Sequence, residues 1–251
     1  MFLPPRKQVF QPQSLTPGGT VLLGSNNVPV ELDTTQPIEE LIVALNITVN
    51  SAISGVVATN PDFLLALLKR VRLVVQDAGK PRSLVDVSGM FLLEYAANAG
   101  FNLSRSTIAS TRLCQLASLP ASLQMRIEYR IPLVHPMIGE TLRTRCLFPA
   151  HLLSDSPMLY LDFATAAECF TTGSLSAISA EVIAVRKDIT KAQSDQIVAT
   201  GGFIPFDLME LSATIPVGYS QPDFKVDLGK SGSYLGLLVR QYLGGATITR
   251  N

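Results

Sequence analysis

Apolar and polar residues alternate with a period of two along several stretches of this chain, as in β-strands that bury one face. The alternation is most regular over residues 123–131. Apolar runs of strand length also occur at 41–49, 71–75, 158–163 and 178–185. Turn-forming residues separate many of these runs, so the pattern predicts a β-sandwich.

Other short segments predict the elements that decorate this sandwich. Residues 90–98 are apolar at almost every position and lie between Gly89 and Gly100, which predicts a buried helix with Gly100 as its C-cap. Residues 20–23 and 28–32 flank a Gly-Ser-Asn-Asn turn and predict a hairpin. Residues 63–68 predict one helical turn. The expected fold class is therefore all-β with short inserted helices.

The distribution of proline, glycine and polar residues divides the chain into three parts. Residues 1–19 contain four prolines and predict an extended N-terminal arm outside the sandwich, with a frayed terminus as the competing interpretation. The polar run 187–196, followed by two glycines, predicts a boundary near residue 200. We therefore expect a first domain over 20–198 and a second unit over 199–251.

Composition favours a protein that packs against other proteins. The chain has 251 residues with 47% hydrophobic content, which is enough for a substantial core. Its formal net charge is +0, so there is no overall attraction to nucleic acid. Only 16% of residues are charged and the mean hydropathy is +0.30, which leaves apolar surface that oligomerisation would cover.

Motifs for catalysis and metal binding are absent from the sequence. His135 and His151 are the only histidines and do not form the HxH pair of a cupin-like metal enzyme. The sequence contains no Gly-x-Ser-x-Gly elbow and no complete phosphate-binding loop. Cys114, Cys146 and Cys169 have neither CxxC spacing nor an even count, which indicates synthesis in a reducing cytoplasm. We expect all three to be buried thiols. We expect no enzyme activity, no cofactor and no metal.

The order of these segments resembles one family of viral coat proteins. Residues 42–51, 68–77 and 89–100, followed by 125–133 and 158–163, are similar to the first barrel of the double-jelly-roll major capsid proteins of tailless, membrane-containing icosahedral bacterial viruses. Residues 219–250 resemble the opening of the second barrel. The resemblance implies a jelly-roll β-sandwich whose first barrel is complete and whose second barrel is partial. Because residues 244–251 stop in an apparent strand, we expect a fragment of a longer polypeptide.

The resemblance also implies a role in assembly. It implies a structural subunit that forms homotrimers with a pseudo-hexagonal footprint, which tile an icosahedral shell over an internal membrane. The implied partners are neighbouring capsid trimers, minor capsid proteins and internal lipid, with no specific nucleic acid. The implied location is the virion, after synthesis in the host cytoplasm. A receptor- or carbohydrate-binding jelly roll, spike or lectin-like, is the alternative, although Trp is 0 and aromatic residues are 7%.

Two sets of charged residues are candidates for contacts. Arg6 and Lys7 on the predicted arm are candidates for contact with a neighbour or with lipid headgroups. Arg126, Glu128 and Arg130 alternate along one predicted strand. They fit either cross-strand ion pairs at a subunit contact or a solvated outer face. Glu39 and Glu40 are interpreted as the solvated start of a strand.

Overall fold

The fold is taken from a computed structural model of the chain. It describes residues 6–10, 20–21, 23–48, 57–58, 67–77, 79–98, 118–119, 124–135, 138–169, 177–205, 207–211, 242–243 and 246–247. The chain divides into two compact units, Met1–Glu210 and Leu211–Asn251. Most of the described residues belong to the first unit.

The first unit consists mainly of strands, with short helices between them. Its strands are β1 (Arg6–Phe10), β2 (Thr20–Val21), β3 (Val28–Glu31), β4 (Ile38–Thr48), β5 (Val57–Ala58), β6 (Leu68–Asp77), β7 (Lys80–Val87), β8 (Ser118–Leu119), β9 (Gln124–Pro132), β10 (Met158–Phe163), β11 (Ala177–Arg186) and β12 (Leu208–Met209). Its helices are α1 (Gly89–Asn98), α2 (Glu140–Arg143), α3 (Ala166–Cys169) and α4 (Lys191–Ala199), with a 3₁₀ turn at Ala150–Leu152.

The long strands form two sheets with a nested pairing order. The first sheet has the order β1-β11-β4-β9, with β2 also paired to β11, and the second has the order β12-β7-β6-β10-β3. Among the antiparallel pairs, β1 joins β11, β3 joins β10, β4 joins β9 and β6 joins β7. Strands from the start of the unit therefore pair with strands near its end, and each following pair lies closer together in sequence, down to the central β6–β7 hairpin. This is a long hairpin rolled into two sheets, which confirms the predicted jelly-roll β-sandwich.

The hydrophobic core lies between the two sheets. Because side chains alternate across a strand, each long strand contributes every second residue to this core. Fully burying one large aliphatic or aromatic side chain stabilises the fold by about 1.5–3 kcal/mol. Inward-facing members of the single large cluster include Leu41, Val43, Leu45 and Ile47 of β4, Val71 and Leu73 of β6, Ile127, Tyr129 and Ile131 of β9, and Leu159, Leu161 and Phe163 of β10.

The β6–β7 hairpin contains a strand that the sequence pattern did not reveal. Asp77 and Lys80 pair across the turn, and Gly79 has a φ of +77°, a left-handed conformation that favours glycine. The first half of β7 is exposed and includes Pro81. It pairs with β6 on one side, while β12 pairs only with Val85 and Asp86 farther along β7. A proline is tolerated at such an edge position, which hides the strand from a pattern search.

The helix α1 was predicted at almost the observed position. The side chains of Leu92, Leu93 and Ala96 are buried, and α1 contacts β6 and β9. Phe91 and Tyr95 pack against the same core but are only partly buried, and their rings stack with centroids 5.8 Å apart. The prediction of a helix buried all round is thus corrected to one buried face. The predicted C-cap Gly100 lies outside the described residues, as do residues 63–66 of the helical turn predicted over 63–68. The last residue of that prediction, Leu68, is instead the first residue of β6.

Two predictions for the N-terminal part of the chain are wrong. Residues 20–23 and 28–32 do not form a hairpin, because β2 pairs with β11 in the first sheet and β3 pairs with β10 in the second. The segment 1–19 is not wholly an arm outside the sandwich. Arg6–Phe10 forms β1, in antiparallel register with residues 182–186 of β11. The sheet edge of β11 needs hydrogen-bonding partners, and β1 and β2 supply them.

The polar run near residue 190 is a helix of the first unit. Thr190 caps α4 by accepting a hydrogen bond from the Gln193 backbone N–H, while the Gln193 side chain accepts one from the Thr190 N–H. Beyond it, β12 pairs in parallel with β7, so the first unit extends to Glu210. The predicted boundary at 198/199 therefore lies too early, because polarity marked a helix and not a linker.

The second unit is described only at one short hairpin. Its strands are β13 (Tyr242–Leu243) and β14 (Ala246–Thr247), which pair in antiparallel register. A start of a second jelly roll in this part of the chain stays a prediction.

We predict that Gly89→Ala destabilises the first unit by about 2 kcal/mol or more, because overpacking a dense core is costly. A Cβ at position 89 would clash with the Leu68 carbonyl oxygen and would lie 2.9 Å from Tyr129 Cε1. The measurement is urea-induced unfolding followed by circular dichroism. The matched control is Gly139→Ala, since Gly139 has a φ of −61° and a Cβ added there would meet no described atom within 4 Å. Equal loss of stability in the two variants would contradict the packing described for α1.

Candidate functional site

The outer face of the first sheet carries a row of charged side chains. Arg126, Glu128 and Arg130 alternate along β9 with buried inward-facing residues. All three are partly buried, and each forms an ion pair within the chain. We call this row, together with its partners on β4 and β11, the charged ladder. Its members are Glu40, Asn46, Arg126, Glu128, Arg130 and Glu181.

Arg126 is the centre of the charged ladder. Its guanidinium lies 3.1 Å from Glu128 Oε1 and 3.1 Å from Glu181 Oε2. It also donates a hydrogen bond of 3.1 Å to Asn46 Oδ1. Burial alone lowers the pKa of Arg126, but the hydrogen bonds to Glu128 and Glu181 outweigh it and raise the pKa above its ordinary value. The Arg126 guanidinium is therefore held by partners on its own strand β9 and on β4 and β11.

Glu39 and Glu40 do not mark a solvated strand end, contrary to the sequence-based interpretation. The Glu40 carboxylate lies 3.4 Å from Arg130 Nε, with side-chain exposures of 13% and 24%. Glu39 Oε1 accepts a hydrogen bond of 2.6 Å from Arg143 Nε. These carboxylates are held close to the sheet because β9 and the segment around α2 present arginines to them.

A small apolar patch lies on the same outer face. Ile42, Ile183 and Val185 form a buried cluster separate from the main core. Ile42 lies opposite Ile183 on one side and opposite Arg130 on the other, so the patch and the charged ladder are adjacent in register. The outer face of the first sheet therefore combines buried aliphatic side chains with charges that are already paired.

The ion pairs of the second sheet differ, because their cations are more exposed to solvent than Arg126 and Arg130 are. Arg70 Nε lies 2.5 Å from Asp86 Oδ1, and Lys69 Nζ lies 2.8 Å from Glu168 Oε1. The side chains of Arg70 and Lys69 are 52% and 56% exposed. Exposed pairs of this kind contribute about 0–1 kcal/mol each. The two outer faces are thus electrostatically distinct.

The candidate arm residues lie at an edge of the first sheet. Arg6 is in register with Arg186, and Lys7 is in register with Val185. Arg186 Nη1 donates a hydrogen bond of 3.0 Å to Asp33 Oδ2 and one of 2.7 Å to Thr35 Oγ1. The proposed contact of Arg6 and Lys7 with lipid or with a neighbour stays a prediction.

One pair of side chains in the described part of the chain has the spacing of a catalytic dyad. His151 Nε2 lies 2.8 Å from Ser194 Oγ. A catalytic histidine needs a group that orients its second nitrogen and a serine that substrate can reach. Here Nδ1 has no hydrogen-bond partner among the described residues, and Ser194 is 5% exposed. The pair is therefore structural. Sequence reasoning missed it because the two residues are 43 positions apart.

The two described thiols are buried or partly buried. Cys169 is fully buried, and burial raises the pKa of its thiol to about 12. Cys146 is partly buried and also has a raised pKa because of burial. Cys114 lies outside the described residues. No group of three metal-ligating side chains occurs among the described residues.

The helices in the described part of the chain are all too short or too polar to cross a lipid bilayer.

Solved viral capsid structures share this fold. The atomic structure of Sulfolobus Turreted Icosahedral Virus matches with a TM-score of 0.50 and 16% identity, covering 81% of this chain and 52% of that chain. The quasi-atomic model of the PBCV-1 virus capsid matches with a TM-score of 0.50 and 14% identity, covering 78% and 45%. A crystal structure of the STIV MCP matches with a TM-score of 0.48 and 16% identity, covering 79% and 52%.

The two matches with a TM-score of 0.50 support a shared fold over most of this chain. The chain spans about half the length of the structures that it matches. No protein-family model and no curated protein sequence matches it.

We predict that Arg126→Met destabilises the first unit by about 1–2 kcal/mol, because it leaves two partly buried carboxylates without their cation. Glu128 and Glu181 have side-chain exposures of 20% and 31%. The matched control is Lys69→Met, which removes an exposed pair and is expected to change the free energy of unfolding by less than about 0.5 kcal/mol. Both are measured by urea unfolding at neutral pH. Similar losses in the two variants would show that the charged ladder is no stronger than a surface ion pair.

Proposed function

We propose that this chain is the shell-forming part of a viral major capsid protein that assembles an icosahedral coat. The observation that carries the proposal is the jelly-roll fold shared with the Sulfolobus Turreted Icosahedral Virus structure and the PBCV-1 capsid. The matches cover 81% and 78% of this chain, which is much more than a single motif. These structures favour the capsid role over the receptor- or carbohydrate-binding alternative.

The proposed assembly unit is a homotrimer with a pseudo-hexagonal footprint. In this proposal residues 211–251 begin a second jelly roll, so that each complete subunit contributes two barrels and three subunits contribute six. The coverage of about half of each matched chain supports a longer polypeptide with a second barrel. Neighbouring trimers and minor capsid proteins are the further partners proposed in the virion, with synthesis in the host cytoplasm.

The proposed subunit contact includes the charged ladder, with Arg126, Glu128 and Arg130. Burying an unpaired charge under a neighbouring subunit costs several kcal/mol of binding free energy. Burying a charge that is already ion-paired within its own chain costs less. The charged ladder meets this condition because its arginines are paired within the chain. The exposed fraction that remains, 33% of the Arg126 side chain, is the part that a neighbouring subunit would cover.

The N-terminal segment is proposed to reach a neighbour or an internal membrane. Arg6 and Lys7 lie at the start of β1, directly after residues 1–5. Two cations attract anionic headgroups with about 1 kcal/mol each, so lipid contact would need the avidity of many subunits. A bacterial host and a membrane beneath the shell belong to this proposal. We also propose that the chain catalyses no reaction and holds no cofactor, in keeping with the burial of Ser194 in the His151–Ser194 pair.

We predict that the polypeptide carrying this sequence forms trimers at micromolar concentration and larger plates or shells when concentrated, because packing against copies covers its apolar surface. Sedimentation velocity measures the trimer, and negative-stain electron microscopy shows the plates or shells. A monomer that stays monodisperse over a hundredfold range of concentration and binds a glycan array would contradict the proposal and favour the lectin-like alternative.

Variants in the two sheets test the proposed contact. We predict that Arg126→Gln weakens the trimer at least about tenfold, which corresponds to about 1.4 kcal/mol. Lys69→Gln, in the β-bulge at the start of β6 in the second sheet, is expected to leave the trimer dissociation constant unchanged. Urea unfolding of both variants separates a lost contact from a lost fold. A trimer of unchanged affinity with Arg126→Gln would remove the charged ladder from the interface.

A further inference from the structure

A few polar contacts attach α4 and the turn after it to the segment 143–152. The Arg145 guanidinium donates a hydrogen bond of 3.1 Å to the Thr200 carbonyl, and the Ile204 N–H donates one of 2.8 Å to the Arg145 carbonyl. The third contact joins His151 of the 3₁₀ turn to Ser194 in the middle of α4. We call α4 with residues 200–205 the docked helix. Of these three contacts, only the one made by His151 can change its charge near neutral pH.

The surroundings of His151 suit a neutral imidazole. Nε2 lies 2.8 Å from Ser194 Oγ, and the ring meets Phe203 edge to face with centroids 5.5 Å apart. Nδ1 is buried and has no hydrogen-bond partner among the described residues. In the neutral ring with its proton on Nε2, Nδ1 is only an unused acceptor. Protonation would add a buried N–H without an acceptor and a buried positive charge.

No described element packed around His151 supplies a negative charge that would stabilise the protonated ring. The segment before the 3₁₀ turn carries the cations Arg143 and Arg145, and Asp155 after it is exposed. On α4 the charged residues Lys191 and Asp195 are exposed, and residues 200–205 contain no titratable side chain. Burial lowers the pKa of His151 below its ordinary value of 6.5. No described carboxylate forms an ion pair with it.

We propose that His151 is an acid-sensitive latch that holds the docked helix against the sandwich when neutral and releases it when protonated. This inference does not depend on the capsid role. Because the ring is harder to protonate when docked, the docked state keeps its full advantage above about pH 6.5 and loses it as the pH falls through the lower, docked pKa. Each unit of separation between the two pKa values changes the docking equilibrium about tenfold.

Release would change the surface of the first unit. Ile197 of the docked helix is 8% exposed, and Leu152, Val198 and Ile204 are already at least 50% exposed on the elements that the latch joins. Undocking would add Ile197 and Ser194 to that surface. The helix has 9 residues, which is too short to persist alone in water, so its backbone N–H groups would exchange with solvent once it is released.

Hydrogen–deuterium exchange followed by mass spectrometry tests the latch at about pH 7.5 and pH 5, with rates corrected for intrinsic exchange. In the wild-type protein we expect the protection of residues 191–205 to fall several-fold at the lower pH, while β4 keeps its protection. His151→Gln should remove this pH dependence, because glutamine does not titrate. His135→Gln, at the other histidine of the chain, should leave it intact.

Two further measurements keep the inference testable if His151→Gln does not fold. Ser194→Ala removes the hydrogen bond but not the titration, so we expect weaker protection at both pH values with the pH dependence preserved. NMR titration of the two histidines, assigned with His135→Gln, should give a native pKa for His151 below 6.5. A native pKa at or above 6.5, or a wild-type pH dependence that survives His151→Gln, would overturn the latch.

Discussion

The burial of one apolar face of each sheet against the other is the interaction on which the rest of this structure depends. Each long strand presents an apolar row that water disfavours, and the only partner large enough to cover it is the row of the opposite sheet. The chain meets this constraint by placing successive long strands in alternate sheets for most of its length. When one long hairpin folds over, strands from both of its arms lie in each sheet. The nested pairing follows from this folding.

This arrangement leaves two outer faces that differ in how far their charged side chains are solvated. On the second sheet, ion pairs such as Lys69–Glu168 are solvated and contribute little to stability. On the first sheet, Arg126 donates hydrogen bonds to groups on its own strand and on β4 and β11. A buried aliphatic patch lies beside these hydrogen bonds. A face of this second kind has lost much of its hydration before any partner arrives. That property, and not the charges alone, makes it the stronger candidate for a contact between subunits.

The sequence was sufficient to predict features that depend on local pattern. The period-two alternation around Ile127 and Tyr129 identified β9, and the apolar run after Gly89 identified α1. Features that depend on pairing were not predicted. Nothing near Thr20 indicates that it pairs with β11 and not with β3, and the proline in β7 concealed that strand. In the charged ladder, Arg126, Glu128 and Arg130 were recognised from alternation, but their partners Glu181 and Glu40 required the register between three strands. The His151–Ser194 contact likewise depends on where α4 docks.

Cross-strand distances measure the nested pairing most directly. In NMR spectra of the protein, nuclear Overhauser effects between backbone protons should connect Val30 with Leu159, Val43 with Tyr129, and Val43 with Val182, which are partners in the observed register. All three connections are expected together. Connections that instead join neighbouring strands in sequence, such as β3 with β4, would contradict the rolled sandwich and remove the basis of the proposed shell-forming role.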